Sequence, residues 1–282
     1  MALVALLAAG WAAAAAPAPA PGEPWPQTVK AFDEYVAGVE QRIQREESSI
    51  DTFLIEGAET REQRERELGR GQVLVEPRGP AAAQVPGGWI HHWIGTVFIP
   101  GTSVAQVLTV VRDYDHLTQY YAPELISSRL ISRHGDDFEI ALRTRDHRVV
   151  TVVLDSEYRV HYGRLDEAHQ FSRSRSTRVT EIADAGGAHE HALADEDNHG
   201  YLWRLNTYWR FVQVNDGTIV QCEAISLTRT VPNGLGWLIG PMAREIPRES
   251  LRTTLGATRN AVVARVKGEH SAPDEKPNRG RG

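Results

Sequence analysis

Residues 201–260 read YLWRLNTYWRFVQVNDGTIVQCEAISLTRTVPNGLGWLIGPMAREIPRESLRTTLGATRN, and they carry the strongest indication of the fold. Two strand-like runs meet at the turn Asn215-Asp216-Gly217, and an amphipathic helix follows them. The first run carries large apolar side chains at odd positions, namely Trp203, Leu205, Trp209 and Phe211. Two strands closed by a tight turn and then covered by one C-terminal helix predict a curved sheet that grips a helix and encloses an apolar cavity.

The length of the turn decides which side chains share the aromatic face of this hairpin. A three-residue turn pairs odd residues with odd residues, so Glu223 and Arg229 would lie on the aromatic face, with Trp209 opposite Glu223. A two-residue turn shifts the register by one and brings a set of small side chains to that face instead: Cys222, Ala224 and Ser226. We favour the three-residue turn.

The C-terminal helix is predicted to begin near Pro247, because proline suits the first turn of a helix. One apolar stripe runs along it through Leu251, Leu255, Thr258, Val262 and Val266. The segments Gly234–Pro247 and Tyr114–Pro123 are interpreted as loops that gate the cavity, and Trp237 would be an apolar wedge in the first of them.

An N-terminal extension precedes the main domain. Apolar residues at spacings of three and four predict a helix whose face would dock on the main domain or hold a partner: Val29, Phe32, Val36, Val39 and Ile43. Short strands are predicted near Thr52–Glu56 and Gln72–Glu76, with a charged, exposed helix between them. The segment Gly79–Gly88 reads as a loop, since it is rich in proline, alanine and glycine.

The main domain is predicted to begin near Trp89 with a strand that ends at Pro100-Gly101, followed by a helix capped by Thr102 or Ser103. From Leu125 onward apolar and polar residues alternate, which predicts four antiparallel strands with one dry and one wet face. The acidic stretch Ala183–Gly200 is expected to be a mobile loop.

Composition narrows the function classes. The chain has 282 residues, 41% hydrophobic and 24% charged, with a net charge of −6. Because nucleic-acid binders usually carry a basic patch, we expect no nucleic-acid partner. The single cysteine, Cys222, excludes an intramolecular disulfide and is predicted to be a buried thiol.

The N-terminus, MALVALLAAGWAAAAAPAPAPGEPWP, has an apolar run that passes into alanine-rich and then proline-rich sequence. This pattern is typical of a secretory signal peptide, although no lysine or arginine precedes the apolar run. We therefore expect a periplasmic or secreted protein, and an uncleaved N-terminal anchor is the alternative interpretation of the same segment. The predicted organisation is a signal-like segment at 1–20, an N-terminal extension at 21–88, the main domain at 89–268 and a disordered tail at 269–282.

The order of strand, helix, antiparallel strands and long C-terminal helix resembles the START-like helix-grip superfamily, which includes polyketide cyclases and lipid-transfer domains. The segments GTVFIPGTSVAQVLTVVRDYDHLTQYYAPELISSRLISR and LWRLNTYWRF…CEAISLTRTVP…IPRESLRTTLGATRNAV carry the resemblance. Asp113, Tyr114 and Pro123 fit the superfamily's layout after its first long helix. The resemblance implies an α+β fold, a curved antiparallel sheet gripping a long C-terminal helix, with the N-terminal helix as an extension.

The resemblance also implies a hydrophobic ligand, lipid-like or aromatic, held between the sheet and the last helix. The side chains predicted to line this site are Trp203, Leu205, Trp209, Glu223, Arg229, Tyr114, Tyr121, Trp237 and Leu255. A carrier or sensor of that ligand, with transient membrane contact, is the leading hypothesis. No catalytic motif, cofactor motif or convincing metal site is present in the sequence, and the oligomeric state is left open.

Two other functions are kept open. A cyclase or hydratase would use the same cavity and would need a general acid or base such as His91, His92 or Glu223. An interaction protein with a filled core would instead use the helix at Val29–Ile43 as its working surface. The segment His189–His191 suggests a metal site, but a flexible acidic loop explains the same composition.

Overall fold

The computed structural model describes residues 22–56, 61–147, 151–230 and 236–271. The helices are α1 (Pro26–Glu46), α2 (Arg61–Gly69), α3 (Val104–Val111), α4 (Thr118–Tyr121) and α5 (Gly236–Ser271), with short 3₁₀ turns at Ile50–Thr52 and Asp195–Asp197. The strands are β1 (Leu74–Val85), β2 (Gly88–Pro100), β3 (Leu125–His134), β4 (Asp137–Asp146), β5 (Val152–Arg164), β6 (His169–Ala183), β7 (His191–Ala192), β8 (Arg204–Val214) and β9 (Gly217–Arg229).

The strands form one antiparallel sheet in the order β1-β2-β9-β8-β6-β5-β4-β3, and β7 pairs with β6 beside this path. Helix α5 packs across β2, β1 and β9 and also contacts α3 and α4. The open antiparallel sheet, the long C-terminal helix packed across it and the N-terminal helix α1 confirm the predicted α+β fold class and are consistent with a helix-grip fold.

The hairpin of β8 and β9 has a two-residue turn, because Val214 pairs with Gly217 and only Asn215 and Asp216 lie between them. The predicted three-residue turn was wrong. Gly217 is the first residue of β9, where a side chain would collide with the carbonyl oxygen of Ile99 in β2. This glycine permits close strand packing and does not supply a left-handed turn position.

The sheet therefore has an inner face, which meets α5, and an outer face, which meets α1. On the inner face Trp93, Val97, Phe211 and Cys222 belong to one apolar core with Leu255 of α5. On the outer face a second apolar core joins residues of α1 to the sheet: Phe32, Val36, Ile43, Ile90, Trp203, Tyr208, Ile225 and Leu227. The predicted docking of the 29–43 helix on the main domain is confirmed.

The sequence predictions for the other elements were correct in most places. The charged helix, the capping of α3 by Ser103 and the four alternating strands are all present. Ser103 and Gln106 form a reciprocal capping box at the start of α3, which satisfies two backbone N–H groups. The 183–200 stretch holds β7 and a 3₁₀ turn, and the Glu181 carboxylate accepts hydrogen bonds from the backbone of His199 and Tyr201.

Three local predictions were wrong. Strand β1 continues through most of the predicted loop at Gly79–Gly88, because an edge strand tolerates proline and a bulge between Pro77 and Ala82 takes up Gly79. A 3₁₀ turn at Ile50–Thr52 occupies the start of the first predicted short strand. Helix α5 begins at Gly236, so Pro247 lies within the helix and the predicted gating loop is helical from residue 236 onward.

Candidate functional site

The strand register places a row of mostly small side chains across the middle of the inner face. Trp93 of β2 pairs with Ala224 of β9, which pairs with Thr207 of β8. Thr207 pairs in turn with Ser174 of β6, and Ser174 with Val160 of β5. Paired residues point to the same face of a sheet, so these five side chains form a continuous row.

The middle of this row consists of the small side chains of Ala224, Thr207 and Ser174, which remain partly exposed and form a floor between larger neighbours. Leu205 and Trp209 lie two residues before and after Thr207 along β8, so both point to the same face and flank the floor. Both side chains are also partly exposed. We call this feature the inner trough, with Trp93 at its β2 end.

Trp93 carries a polar group without a visible partner. Its side chain is only 4% exposed. Within the part of the chain that the structure describes, its indole Nε1–H donates no hydrogen bond. Buried donors in folded proteins are nearly always paired, since an unmade hydrogen bond of this kind costs about 1–3 kcal/mol.

Helix α5 approaches the sheet closely next to the trough. Gly95 lies two residues beyond Trp93 on β2, and a side chain there would overlap Leu255 and Leu251 of α5. Leu255 is fully buried at this contact. The absence of a side chain at Gly95 therefore sets the depth at which α5 lies on β2.

Tyrosine hydroxyls form two hydrogen-bonded pairs beside the inner core. The Tyr114 and Tyr162 hydroxyl oxygens are 2.7 Å apart, and Tyr121 lies 2.8 Å from the hydroxyl of Thr258 in α5. Burial raises the pKa of Tyr121 to about 12 and that of Tyr162 to about 12. These phenols are therefore neutral at physiological pH and are suited to hydrogen bonding with a polar group of a ligand.

The structure brings five of the predicted site residues to the inner side of the sheet. They are Leu205, Trp209, Tyr114, Tyr121 and Leu255, all within or against the same apolar core. Trp237 belongs to α5, but its side chain lies outside the described part of the structure. The remaining three predicted residues lie elsewhere.

Trp203, Glu223 and Arg229 are not on the inner face. Trp203 precedes β8 and packs in the outer core, where its indole Nε1 donates to the carbonyl oxygen of Gly22. Glu223 follows Cys222 and so points to the opposite face, and Arg229 pairs with Gly88 at the end of β9. All three predictions of inner-face placement were wrong because of the one-residue register shift, or, for Trp203, because the residue lies before the strand begins.

Glu223 instead belongs to a layer of charged side chains beneath α1. Its carboxylate is 1% exposed, accepts a hydrogen bond from Arg42 of α1 and lies 2.5 Å from Nε2 of His92. The other ring nitrogen of His92 lies 2.7 Å from the hydroxyl of Tyr35. Burial pushes the pKa of Glu223 upward, but His92 and Arg42 outweigh it and hold that pKa below its ordinary value.

The layer continues along α1. Arg42 also contacts Glu46 through a bidentate pair at 2.9 and 2.8 Å. Glu46 accepts in turn from the buried Arg210 of β8 at 2.7 Å. Glu47 accepts from Arg173 of β6, and burial outweighs this contact so that the pKa of Glu47 is raised. The outer face of the central strands is therefore held to α1 by both apolar and ionic contacts.

Two cavities lie away from the inner trough. The larger, of about 430 Å³, is bounded by Pro123, Arg145, His147, Thr151, Val153, Ile182, Asp184 and Ala185. The smaller, of about 280 Å³, lies over β3 to β6 and is lined mainly by charged and hydroxyl side chains, among them Arg129, Arg143 and Asp155. Both linings mix charged and hydroxyl side chains with apolar ones.

Two further findings concern the described residues only. Within ranges 22–56, 61–147, 151–230 and 236–271, no group of three or more His, Cys, Asp or Glu side chains is arranged to hold a metal ion. None of the helices in these ranges is both long and apolar enough to cross a membrane.

Sequence reasoning missed Trp93, Ala224, Thr207 and Ser174. The two-residue turn, weighed as an alternative, would have brought Ala224 to the aromatic face. Thr207 lies two residues from both Leu205 and Trp209, so the alternation of the strand also places this small polar residue on the aromatic face. Trp93 and Ser174 come from strands whose pairing partners the sequence does not reveal.

Structural comparison places the chain beside several solved proteins. A STAR-related lipid transfer protein from Xanthomonas axonopodis is 16% identical, covers 68% of this chain and 98% of its own, and has a TM-score of 0.44. The Zhui aromatase/cyclase from a Streptomyces species is 17% identical, with coverages of 63% and 96% and a TM-score of 0.43. A protein from Thermus thermophilus is 15% identical, with coverages of 61% and 97% and a TM-score of 0.45.

No family model matches the sequence, and no curated protein matches it significantly. At such low identities and TM-scores, the ligands and activities named for the neighbours are properties of those proteins. The description of this chain as a helix-grip fold rests on its own strand order and on the packing of α5.

Proposed function

We propose that the chain binds a hydrophobic small molecule between the inner face of the sheet and α5, as a carrier or sensor. The observation that carries this proposal is the inner trough. Its small floor residues, Ala224, Thr207 and Ser174, stay partly exposed in the middle of a face that is otherwise packed with apolar side chains. Ligand sites are typically concave and apolar, with a few polar groups that fix orientation.

The ligand's apolar body would lie between Leu205 and Trp209. Apolar surface removed from water contributes about 25 cal/mol per Å², from which the costs of association and ordering are subtracted. Trp209 adds an aromatic face against which a ring or an acyl chain can pack. The lipid-transfer and aromatase/cyclase names of two neighbours indicate which compounds to test first, namely lipids and polycyclic aromatics.

The two alternative functions have less support. An enzyme that used Glu223 or His92 as its acid or base would need that group beside the ligand, but both lie on the opposite face of the sheet beneath α1. The third candidate, His91, pairs with Ser226 on the inner face, where its Nε2 lies 3.0 Å from the hydroxyl of Thr228. An interaction protein that used the apolar face of α1 would need that face to be free, but Phe32, Val36 and Ile43 are buried against the sheet.

Export to a periplasm or beyond is part of the same proposal. The signal-like segment at residues 1–20 supports it, and these residues lie outside the described part of the structure. N-terminal sequencing of the protein recovered from the periplasm or medium of its source cells would test export. Recovery only from the cytoplasm with the first residues intact would contradict it.

The binding proposal is tested with a blocking substitution. Thr207→Trp fills the floor of the trough, while Thr177→Trp places the same side chain at an exposed position on β6 and is the matched control. Native mass spectrometry with organic extraction, and displacement of N-phenyl-1-naphthylamine by fatty acids, sterols and polycyclic aromatics, would measure binding. We expect binding by the wild type and by Thr177→Trp, and at least tenfold weaker binding by Thr207→Trp.

Two outcomes would contradict the proposal. The first is that no compound co-purifies and no member of the panel displaces the probe. The second is that Thr207→Trp binds as well as Thr177→Trp while its circular dichroism and unfolding curve show an intact fold.

A further inference from the structure

We propose that the smaller cavity, on the outer face of the sheet over β3 to β6, binds a small molecule with two carboxylates and one ammonium group, which is the chemistry of an acidic amino acid. The cavity measures about 280 Å³. Small-molecule sites usually measure about 300–1,000 Å³, so its ligand is smaller than a typical lipid or polycyclic compound. The sheet lies between this cavity and the inner trough, so the two sites are separate.

Four side chains form a row across the floor and walls of the cavity. Arg129 of β3 pairs with Ala141 of β4. Ala141 pairs with Glu157 of β5, which pairs with Arg178 of β6. Paired residues point to the same face of a sheet, and all four of these line the cavity. The order across the row is therefore a cation, a methyl group, a carboxylate and a second cation.

The three charged side chains of this row are available to a ligand. Within the part of the chain that the structure describes, no hydrogen bond or ion pair joins Arg129, Glu157 or Arg178 to another side chain. Both arginines are exposed, whereas Glu157 is half-buried between the neighbouring strands. A ligand can therefore reach all three groups without breaking an existing contact.

The other charged groups of the cavity are already paired. Arg143 donates to Asp155 through Nε at 2.6 Å and through Nη2 at 2.8 Å, and its Nη1 donates to Glu190 at 2.7 Å. All three nitrogens of this guanidinium are used, and both carboxylates have a cationic partner. The free charged groups of the cavity are therefore two guanidiniums and one carboxylate.

The free groups define the ligand by charge complementarity. Guanidiniums favour carboxylates, which they bind through paired hydrogen bonds, so Arg129 and Arg178 favour two carboxylates. The Glu157 carboxylate only accepts hydrogen bonds and favours an ammonium group of opposite charge. The small side chain of Ala141 leaves space for a short carbon chain between these groups. Glutamate and aspartate combine all of these features in one molecule.

Three probes separate the contributions of the charged groups on the ligand. L-Glutamate carries two carboxylates and one ammonium, glutarate lacks the ammonium, and L-glutamine lacks the side-chain carboxylate. Isothermal titration calorimetry measures their dissociation constants with the full chain. A ¹H–¹⁵N titration locates the binding, since backbone amides at 127–129, 141–143, 155–157 and 178–182 should shift and those of α5 should not.

The variants remove one charge each at an accessible position. Arg178→Gln and Glu157→Gln alter the row, and Arg159→Gln is the matched control. Arg159 follows Glu157 by two residues and so lies on the same face of β5, but it is outside the cavity. Its side chain is 75% exposed, with Nε 3.2 Å from Glu139. The control therefore reports the effect of the surface charge alone.

We expect the wild type and Arg159→Gln to bind L-glutamate about tenfold more tightly than glutarate or L-glutamine, because each of these lacks one charge-assisted contact. Arg178→Gln should bind L-glutamate about tenfold more weakly than the wild type does. Glu157→Gln should bind L-glutamate and glutarate equally, since it has lost the partner of the ammonium group.

Three outcomes would overturn the inference. The first is that the wild type shows no saturable binding of L-glutamate. The second is that the wild type binds L-glutamate and glutarate equally, a comparison that depends on no variant. The third is that Arg159→Gln weakens binding as much as Arg178→Gln, which would show a general effect of surface charge. None of these outcomes bears on hydrophobic binding at the inner trough, which lies on the other face.

Discussion

Replacing Glu223 by glutamine should separate the charged layer from the apolar contacts that hold α1 to the sheet. The Glu223 side chain is 1% exposed, and its carboxylate contacts His92 at 2.5 Å and accepts from Arg42. Removing one member of a fully buried ion pair typically costs about 3–5 kcal/mol. Arg42 is 24% exposed and keeps its bidentate contact with Glu46, and glutamine retains one acceptor oxygen. We therefore expect a loss of about 2 kcal/mol in the free energy of unfolding at pH 7.

Glu34→Gln is the matched control. It makes the same substitution in an ion pair of α1, but Lys30 and Glu34 are 3.7 Å apart with side chains 76% and 69% exposed. Exposed pairs of this kind contribute little, so its effect should stay within about 0.5 kcal/mol. Urea unfolding followed by far-ultraviolet circular dichroism measures both differences, and amide hydrogen exchange shows whether the loss is concentrated in α1.

The pH dependence of the free energy of unfolding is a second test of the Glu223→Gln substitution. The folded-state pKa of Glu223 lies below its unfolded value, so its charge stabilises the fold above that unfolded pKa, about 4.5, and this contribution is lost as the pH falls through the folded pKa. Glu47 has the opposite sign, because its raised pKa makes its charge costly in the folded state. Glu47 contributes about equally to the free energy of unfolding of the wild type and of Glu223→Gln. Subtracting one free energy from the other at each pH therefore leaves the contribution of Glu223.

This difference should be constant from pH 7 to about pH 5 and should shrink below about pH 4.5. The ionic role assigned to Glu223 is wrong if Glu223→Gln loses no more stability at pH 7 than Glu34→Gln. It is equally wrong if the difference grows as the pH falls.

Two other perturbations test the inner face. Gly95→Val should lower the free energy of unfolding by about 1–3 kcal/mol through overlap with Leu255 and Leu251, and the loss should be smaller in a Leu255→Ala background, as a double-mutant cycle in urea would show. The Cys222 thiol is 1% exposed and burial raises its pKa well above the ordinary value, so iodoacetamide at pH 8 should label it only when the protein unfolds. Rapid labelling of the folded protein, measured by mass spectrometry, would contradict the placement of Cys222 in the core.

The elements that the sequence predicted well are those with a strong local period. Apolar residues recur every three or four positions in α1 and, from Leu251 to Val262, in α5. This spacing predicts which side of each helix is buried. In β5 the alternation of apolar and polar residues likewise predicted which face of the strand is buried. Such patterns depend only on neighbouring residues, and the resemblance they supported led to the correct fold class.

The site was harder to predict because it depends on register and on distant pairing. Asn215-Asp216-Gly217 suits a two- or a three-residue turn, and the glycine is needed in the strand because a side chain there would meet the carbonyl oxygen of Ile99, more than a hundred residues earlier. One residue of shift exchanged Glu223 for Ala224 on the inner face. No local pattern could show that Trp93 meets Ala224, since β2 and β9 are far apart in the chain.

The two faces of the central strands are linked through that same register. Cys222, Glu223 and Ala224 are consecutive in β9. Cys222 lies in the inner core, Glu223 in the outer charged layer and Ala224 on the trough floor. A slip by one residue would drive the Glu223 carboxylate into the apolar inner face without His92 or Arg42, at the cost of an unpaired buried charge. Antiparallel sheets commonly leave one face in water, where such a slip costs less. By covering the outer face and supplying Arg42, helix α1 makes the alternative register unfavourable, and so it keeps a methyl group rather than a carboxylate on the floor of the trough.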